Sequence, residues 1–390
     1  MSTEVPGPSG PAASHASPSR RFGRIKVALV ALLALVMAAL IVASLVTIPY
    51  DALTPGTAQN VGGLISVAAG KSHPHAGSVY LTDVGLVFSM RAIQWPFFIL
   101  DHEDQVVPTA QLTGPASTSE YQEQGVIDMA TAQQAATVVA FRAAGYNVAA
   151  NPSGVVDYQP LAGSPAGGSL RIGDVITSID GSPTLSYAAL AAAVAARPPG
   201  TKVEIGVHFI GSSHAHSVSL VLGEAVGASA DAVEHGCVVA GSKHTGVIID
   251  HAGKPASCIG SYLEQIYHTT GMPFAASVAS DGIIGPSAGL AFTLGLLEKL
   301  DPADLTGGKR IAATGTMAIN GAVGDVGGVA QKTVAVRDAG AVLFLVPPEE
   351  LAVARAYAGP DLKVVAVSTI GQAISALESI GGRLVSRAAK

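Results

Sequence analysis

From Val27 to Ile48 the chain carries no charged residue. As a helix this run of 22 mostly apolar residues rises about 33 Å, enough to cross the hydrocarbon layer of a bilayer. A cleaved signal peptide has a shorter apolar core, about 7–15 residues. A buried core helix would show a polar face somewhere along its length, and this run shows none. Arg20, Arg21, Arg24 and Lys26 precede the run and Asp51 follows it. The positive-inside rule then sets the topology. Residues 1–24, rich in Pro, Ser, Ala and Gly, form a disordered cytoplasmic tail. Residues 25–49 span the membrane, and everything from residue 50 onward lies outside it.

That topology restricts the chemistry. Little ATP is present outside the membrane, and the compartment permits disulfides. Cys237 and Cys258 either pair or remain two structural thiols. The 390 residues suffice for two or three domains, and only 13% are charged. With a net charge of −6 and no basic run interleaved with aromatics, nucleic acid is not an expected partner. "AAGKSH" (Ala68–His73) ends like a phosphate loop, but Ile65 stands where that loop needs glycine, so no nucleotide is expected. The pairs His73/His75 and His214/His216 have no Cys, Asp or Glu at ligand spacing and read as surface histidines. "DHED" (Asp101–Asp104) reads as a solvated loop. No cofactor and no metal is called for.

Further along, "GSVYLTDVGLVFSM" (Gly77–Met90) reads as two strands of a hairpin, and "IDMATAQQAATVVAFRAAGYNV" (Ile127–Val148) as a helix with Gly145 at its end. From Gly154 the texture becomes strand, short helix at Ser164-Pro165-Ala166, strand "VITSID", helix "SYAALAAAVAA", then strands "KVEIGVHFI" and "HSVSLVL". Through "GSPA", "LRIGDVI" and "IDG" this stretch resembles a bacterial-type PDZ domain over residues 151–224. The resemblance implies capture of an extended peptide, often a C-terminus, as an added strand.

"GPSAG" (Gly285–Gly289) fits the G-x-S-x-G pattern of a nucleophile elbow, yet no histidine follows Ser287 to act as its base. The last is His268. A lysine can serve if burial lowers its pKa far enough to leave it neutral. Lys299 and Lys309 read as exposed. Lys332 shares a helical stripe with Val329, Val336 and Ala339, so it either sits desolvated or snorkels to water. Ser287 stands at the first turn of the helix "SAGLAFTLGLLEKL". There it is either a capping serine or a nucleophile whose oxyanion meets free N–H groups. Ala288 and Gly289 leave room for a substrate carbonyl.

These motifs, with "DLTGGKRIAATGTMAINGAVGDVGGVAQK" downstream, resemble the proteolytic domain of Lon-type peptidases. The resemblance implies a Ser-Lys dyad with Ser287 as nucleophile and Lys332 as general base. It implies supporting roles for Gly285, Ala288 and Gly289, and for Thr314 a place near the lysine. In the family an acidic residue stands three before the serine; here Ile284 does. The order of segments resembles that of membrane-anchored, PDZ-containing Lon-like proteases of bacteria. The expected fold is an α/β (α+β) Lon-type proteolytic domain at 230–386, plus a small β-rich PDZ domain, preceded by one transmembrane helix. Residues 50–150 form a separate extracytoplasmic region or the first part of the proteolytic domain, because "IDMATAQQAATVVAFRAAG" is similar to an early helix of that domain. The expected activity is ATP-independent serine endopeptidase action on unfolded or tail-exposed chains, in a homo-oligomer if the ring habit of Lon-type domains carries over. Two alternatives stand beside it: an inactive PDZ scaffold, favoured by Ile284, and a serine hydrolase using His235 or His268.

Overall fold

The computed structural model describes residues 19–114, 116–226, 236–238 and 253–385. The tail before Ser19 and His235 lie outside the described residues. Helix α1 (Ser19–Leu45) is followed by strands β1 (Tyr50–Asn60), β2 (Ser78–Val87) and β3 (Gln105–Pro108), then the long helix α2 (Thr118–Ala143). The middle of the chain supplies β4 (Ala149–Pro160), β5 (Asp174–Ile179), α3 (Tyr187–Ala195), β6 (Lys202–Phe209) and β7 (Ala215–Val221). It continues with β8 (Gly223–Val226), β9 (Gly236–Val238), β10 (Ser257–Cys258) and β11 (Ser261–Thr270). The last third holds α4 (Gly289–Leu300), β12 (Arg310–Ala313), α5 (Val329–Asp338), β13 (Leu343–Val346), α6 (Leu351–Tyr357), β14 (Lys363–Ala366) and α7 (Ile370–Glu378).

One six-stranded sheet has the order β14-β13-β12-β2-β1-β3. It therefore mixes strands from residues 50–108 with strands from residues 310–366, and the β-rich middle of the chain is interposed between its two halves. β12 runs parallel to β2 and to β13, and β13 parallel to β14. Parallel strands need covered faces, and both faces are covered. Leu290, Leu294 and Leu297 of α4 pack with α2 and α7 on one side, against Val79, Leu81, Ile311 and Leu343. Val329 and Val336 of α5 pack with Ala354 of α6 on the other, against Ala312, Phe344 and Val364. The alternation of these strand residues between the two cores is the period-two geometry of a strand.

Two elements depart from the sequence reading. Gly77–Met90 is not a hairpin: β2 runs unbroken from Ser78 to Val87, because Gly85 is paired rather than turned and Thr54 fills the space a Cβ would take. α2 begins at Thr118, nine residues before the expected start at Ile127. A capping box sets that start: Ser117 Oγ accepts from the Glu120 N–H while the Glu120 carboxylate accepts from the Ser117 N–H. The polar sequence of this first segment concealed it.

The second large sheet has the order β11-β4-β5-β6-β7, with α3 beside it over a core of Val155, Ile176, Leu190, Ile205 and Leu220. The elements expected over residues 154–222 are all present, but the sheet takes its end strand from β11, beyond residue 224. Just before β11, a disulfide joins Cys237 to Cys258 and resolves the choice left open between a bond and two thiols.

Candidate active site

A single 3-10 turn, Pro286–Ala288, leads into α4, and neither turn nor helix has a side-chain cap. Of the two roles its position allowed, Ser287 is therefore not the capping serine, and its Oγ forms no hydrogen bond among the described residues. Gly285 enters the turn at φ 91°, a conformation that favours glycine. The turn is held from three directions. The Gly285 N–H donates to Gly125 O of α2 at 2.7 Å. The Ser287 carbonyl accepts from the Gly315 N–H at 2.9 Å and from Thr314 Oγ1 at 3.3 Å. The Leu290 N–H donates to Gly315 O at 3.1 Å. The Ser287 N–H has no backbone acceptor among the described residues, which leaves one donor free at the positive end of α4.

The structure gives Thr314 a partner and corrects the expectation for Gly289. Thr314 is fully buried, but its hydroxyl donates to the Ser287 carbonyl rather than to the lysine. Gly289 makes room for protein rather than substrate: a Cβ there would lie 2.8 Å from the Met317 backbone nitrogen. Ile284, at the position of the family's acid, packs on α2 so closely that a Cβ on Gly125 would lie 2.9 Å from its Cδ1.

Lys332 sits on α5 with 4% of its surface exposed. Snorkelling is thereby ruled out. Burial lowers its pKa from 10.5 to about 8, while the carboxylates of Glu350 and Asp83 pull the other way. Sequence reasoning missed both acids; Asp83 lies far away along the chain, and no spacing rule links it to Lys332. Thr82 Oγ1 donates to the Lys332 carbonyl at 3.4 Å. The helices bearing Ser287 and Lys332 cover opposite faces of the sheet, so the two residues can meet only past strand ends. The register of β12 with β2 pairs Ala312 with Tyr80 and so sets Thr314 level with Thr82. Thr314 touches Ser287, and Thr82 touches Lys332. This level is the carboxyl end of β12, whereas β2 runs on to Val87. No hydrogen bond joins Ser287 Oγ to Lys332 Nζ in this structure, so the direct contact expected of an assembled dyad is not formed.

The other lysines are engaged elsewhere. Lys299 is not exposed as expected: its Nζ donates to Gly62 O and Ile65 O, each at 2.7 Å. Lys309 donates to Ile380 O. His268 lies exposed on β11. His75 does have acids beside it, contrary to the spacing argument: its ring, Glu298 and Asp304 bring their polar atoms within 4.8 Å of one another. Those atoms are already engaged. Glu298 accepts from the Leu305 N–H and Thr306 Oγ1, and His75 Nε2 lies 3.0 Å from Asp301 O. The group reads as a knot fixing the loop after α4.

Residues 275–377 match the family model of the Lon protease (S16) C-terminal proteolytic domain. The chain carries a Lon-type proteolytic domain. The matched range contains Ser287, Thr314 and Lys332, and a serine peptidase is the class of enzyme this domain supports. Among solved structures, the PDZ domain of the SdrC-like protein of Listeria monocytogenes is 22% identical, with TM-score 0.19, covering 28% of this chain and 87% of that one. The corresponding PDZ domain from Listeria innocua is 22% identical, with TM-score 0.20, covering 30% and 97%. A solution structure from Geobacillus thermodenitrificans is 30% identical, with TM-score 0.17, covering 18% and 79%. No curated protein matches the chain.

The Lon-type domain and the second large sheet share a cavity of about 970 Å³. One end lies between α3 and β11, lined by Leu190, Val194 and Leu263; the other reaches Pro286, beside Ser287, and Thr316–Asn320. Burial raises the carboxyls of Asp128 and Glu264 on its wall, to about 6 and about 7. On β11, the Gln134 side chain of α2 donates to the Tyr267 carbonyl and accepts from its N–H.

Proposed function

We propose that the protein is a membrane-anchored, ATP-independent serine endopeptidase acting outside the membrane through Ser287 and Lys332. One observation carries the reading: Lys332 is a buried lysine with its pKa near 8, hydrogen-bonded through its carbonyl to Thr82 at the level of the sheet where Thr314 holds the Ser287 carbonyl. A lysine so desolvated is neutral often enough near pH 8 to accept the Ser287 proton. Ser287 Oγ attacks the peptide carbonyl, and the Ser287 N–H at the start of α4 holds the oxyanion. The protonated Lys332 gives its proton to the leaving amine, and water then hydrolyses the acyl-enzyme. Catalytic hydrogen bonds are often long in the unliganded state, and substrate entry draws the pair together. The PDZ-like domain of residues 151–224, with β11, holds the extended substrate and passes it along the cavity to the serine. Outside the membrane little ATP is present to drive unfolding, so the substrates are already unfolded or tail-exposed.

Helix α1 anchors the enzyme. Its residues Ile25–Leu45 are long and apolar enough to cross a membrane, and none is buried in the protein. The basic flank before it supports a cytoplasmic N-terminus.

The missing Ser287–Lys332 hydrogen bond and Ile284 favour a second reading, a tethered binding protein without activity. Digestion of an unfolded protein by the parent, Ser287→Ala and Lys332→Ala forms separates the two. The dyad predicts loss on the order of 10⁴-fold or more in both variants. Loss in Ser287→Ala alone indicates another base. A folded but inactive parent supports the scaffold.

A further inference from the structure

The sequence "RAIQWPFFILDHED" (Arg91–Asp104) plays no part in the chemistry above, yet it contains the chain's single tryptophan. Its apolar centre forms the short helix Trp95–Leu100, none of which is buried. Trp95 is 44% exposed, Phe97 73%, Ile99 55% and Leu100 76%. Six consecutive apolar residues that the fold leaves facing outward need a partner.

The backbone leading into this helix indicates which partner. The Ile48 N–H donates to Met90 O at 2.8 Å, the Ala92 N–H to Val46 O at 3.0 Å and the Ile93 N–H to Ala43 O at 3.1 Å. Arg91 donates through Nη1 to Ser44 O at 2.8 Å. The chain thus doubles back along the end of α1, from Ile48 to Ala43, before Trp95 begins. Trp95 stacks on Tyr50 with ring centroids 6.0 Å apart. Charges bracket the apolar stretch: Arg91 before it, and Asp101, Glu103 and Asp104 after it. Tryptophan and tyrosine concentrate where headgroups meet hydrocarbon, and short amphipathic segments bury their apolar side there.

We propose that Trp95–Leu100 is a second membrane contact, lying in the outer interface of the bilayer beside the end of α1. It rests on the reading of α1 as a membrane span. Two contacts set a tilt where one helix leaves the body free to swivel, so this segment fixes how β1–β3 and the catalytic sheet face the membrane.

The single tryptophan provides the test. The full chain is placed in phosphatidylcholine nanodiscs, and Trp95 emission is read with lipids brominated near the headgroup end of the acyl chains. The inference expects blue-shifted emission and loss of most of the intensity to the bromines. Phe97→Asp with Leu100→Asp, both exposed positions, keeps the reporter and is expected to shift emission to the red and abolish quenching. Red emission in the parent overturns the proposal. Blue emission without bromine quenching also overturns it, since it assigns the patch to protein, including a second copy of the chain. If the chain fails to enter nanodiscs and washes off vesicles at alkaline pH, the span reading fails first, and the proposal with it. Entry into discs with an unquenched Trp95 sinks this proposal alone.

Discussion

In the proposed dyad, Lys332 is the side chain that joins fold to chemistry. Water removed from around the ammonium favours the neutral amine, and the neutral amine is what a general base must be. Below its pKa of about 8 the rate should fall by about tenfold for each pH unit, because the reactive fraction falls with it. A kcat/KM profile that climbs with unit slope and levels off above this pKa is the expected result; a flat profile from pH 6 upward contradicts it. Gly289 shows the opposite kind of demand, for absence of bulk. In Gly289→Ala the new Cβ must push the Met317 backbone away. Overpacking of this kind costs about 1–3 kcal/mol, read as a lowered denaturation midpoint, and moves Ser287 with it, so activity falls further than stability predicts.

Among the elements, β11 is pinned most deliberately. It pairs with β4 over its whole length, from Ser261 with Pro160 to Thr270 with Ala149. Gln265 ties it to the start of α3 by accepting from the Tyr187 N–H at 2.8 Å and donating to Leu185 O at 3.1 Å. The Cys237–Cys258 disulfide, spanning 21 residues, anchors the approach to it. Closing a loop of this size restricts the unfolded chain and stabilises the fold by about 3 kcal/mol. Cys237→Ser with Cys258→Ser should lose about that much in chemical denaturation under oxidising conditions. Hydrogen exchange should rise first along β10 and β11 and leave β12 and β13 protected. Uniform exposure of both sheets would show that the bond supports the whole chain rather than this strand.

At the scale of the whole molecule, the common cavity predicts where substrates are cut. Under the proposed function, a tail bound by its terminus along β11 would reach Ser287 at a set distance upstream. Peptides lengthened in the middle should be cut at a constant count from a free C-terminus, and amidation should remove that constancy. Cut sites that follow local sequence instead argue against joint occupancy. Stability should also depend on pH through buried acids. Folding raises Asp157 to about 7, Glu264 to about 7 and Asp128 to about 6, in each case mainly by burial. A raised carboxyl keeps its proton in the fold after the unfolded chain has released its own. The stability this contributes is complete below about pH 4 and is lost as pH rises through these folded values. Lys332 adds the reverse slope at higher pH: its lowered pKa costs stability below about 8, and the cost disappears as pH rises toward 10.5. Denaturation midpoints should therefore decline from about pH 5 to about pH 7.5 and recover above that.

Local chemistry was written openly in the sequence. An unbroken apolar run, a glycine-flanked serine at a helix start and a lysine on an apolar stripe are each properties of a few neighbouring residues, legible wherever those residues stand. The sequence thereby determined the apolar helix α1, the helix of Ser287 and the strands and helix of residues 154–222, and it singled out Lys332 as a candidate. Tertiary structure decided whatever depends on residues distant in sequence. It placed β1 and β2 beside β12, brought Asp83 and Glu350 to face Lys332, turned Thr314 toward the Ser287 carbonyl and laid β11 on β4. It also buried the Lys332 ammonium, since a stripe position sets which way a side chain points, and the packed sheet and helices around it set how much water remains.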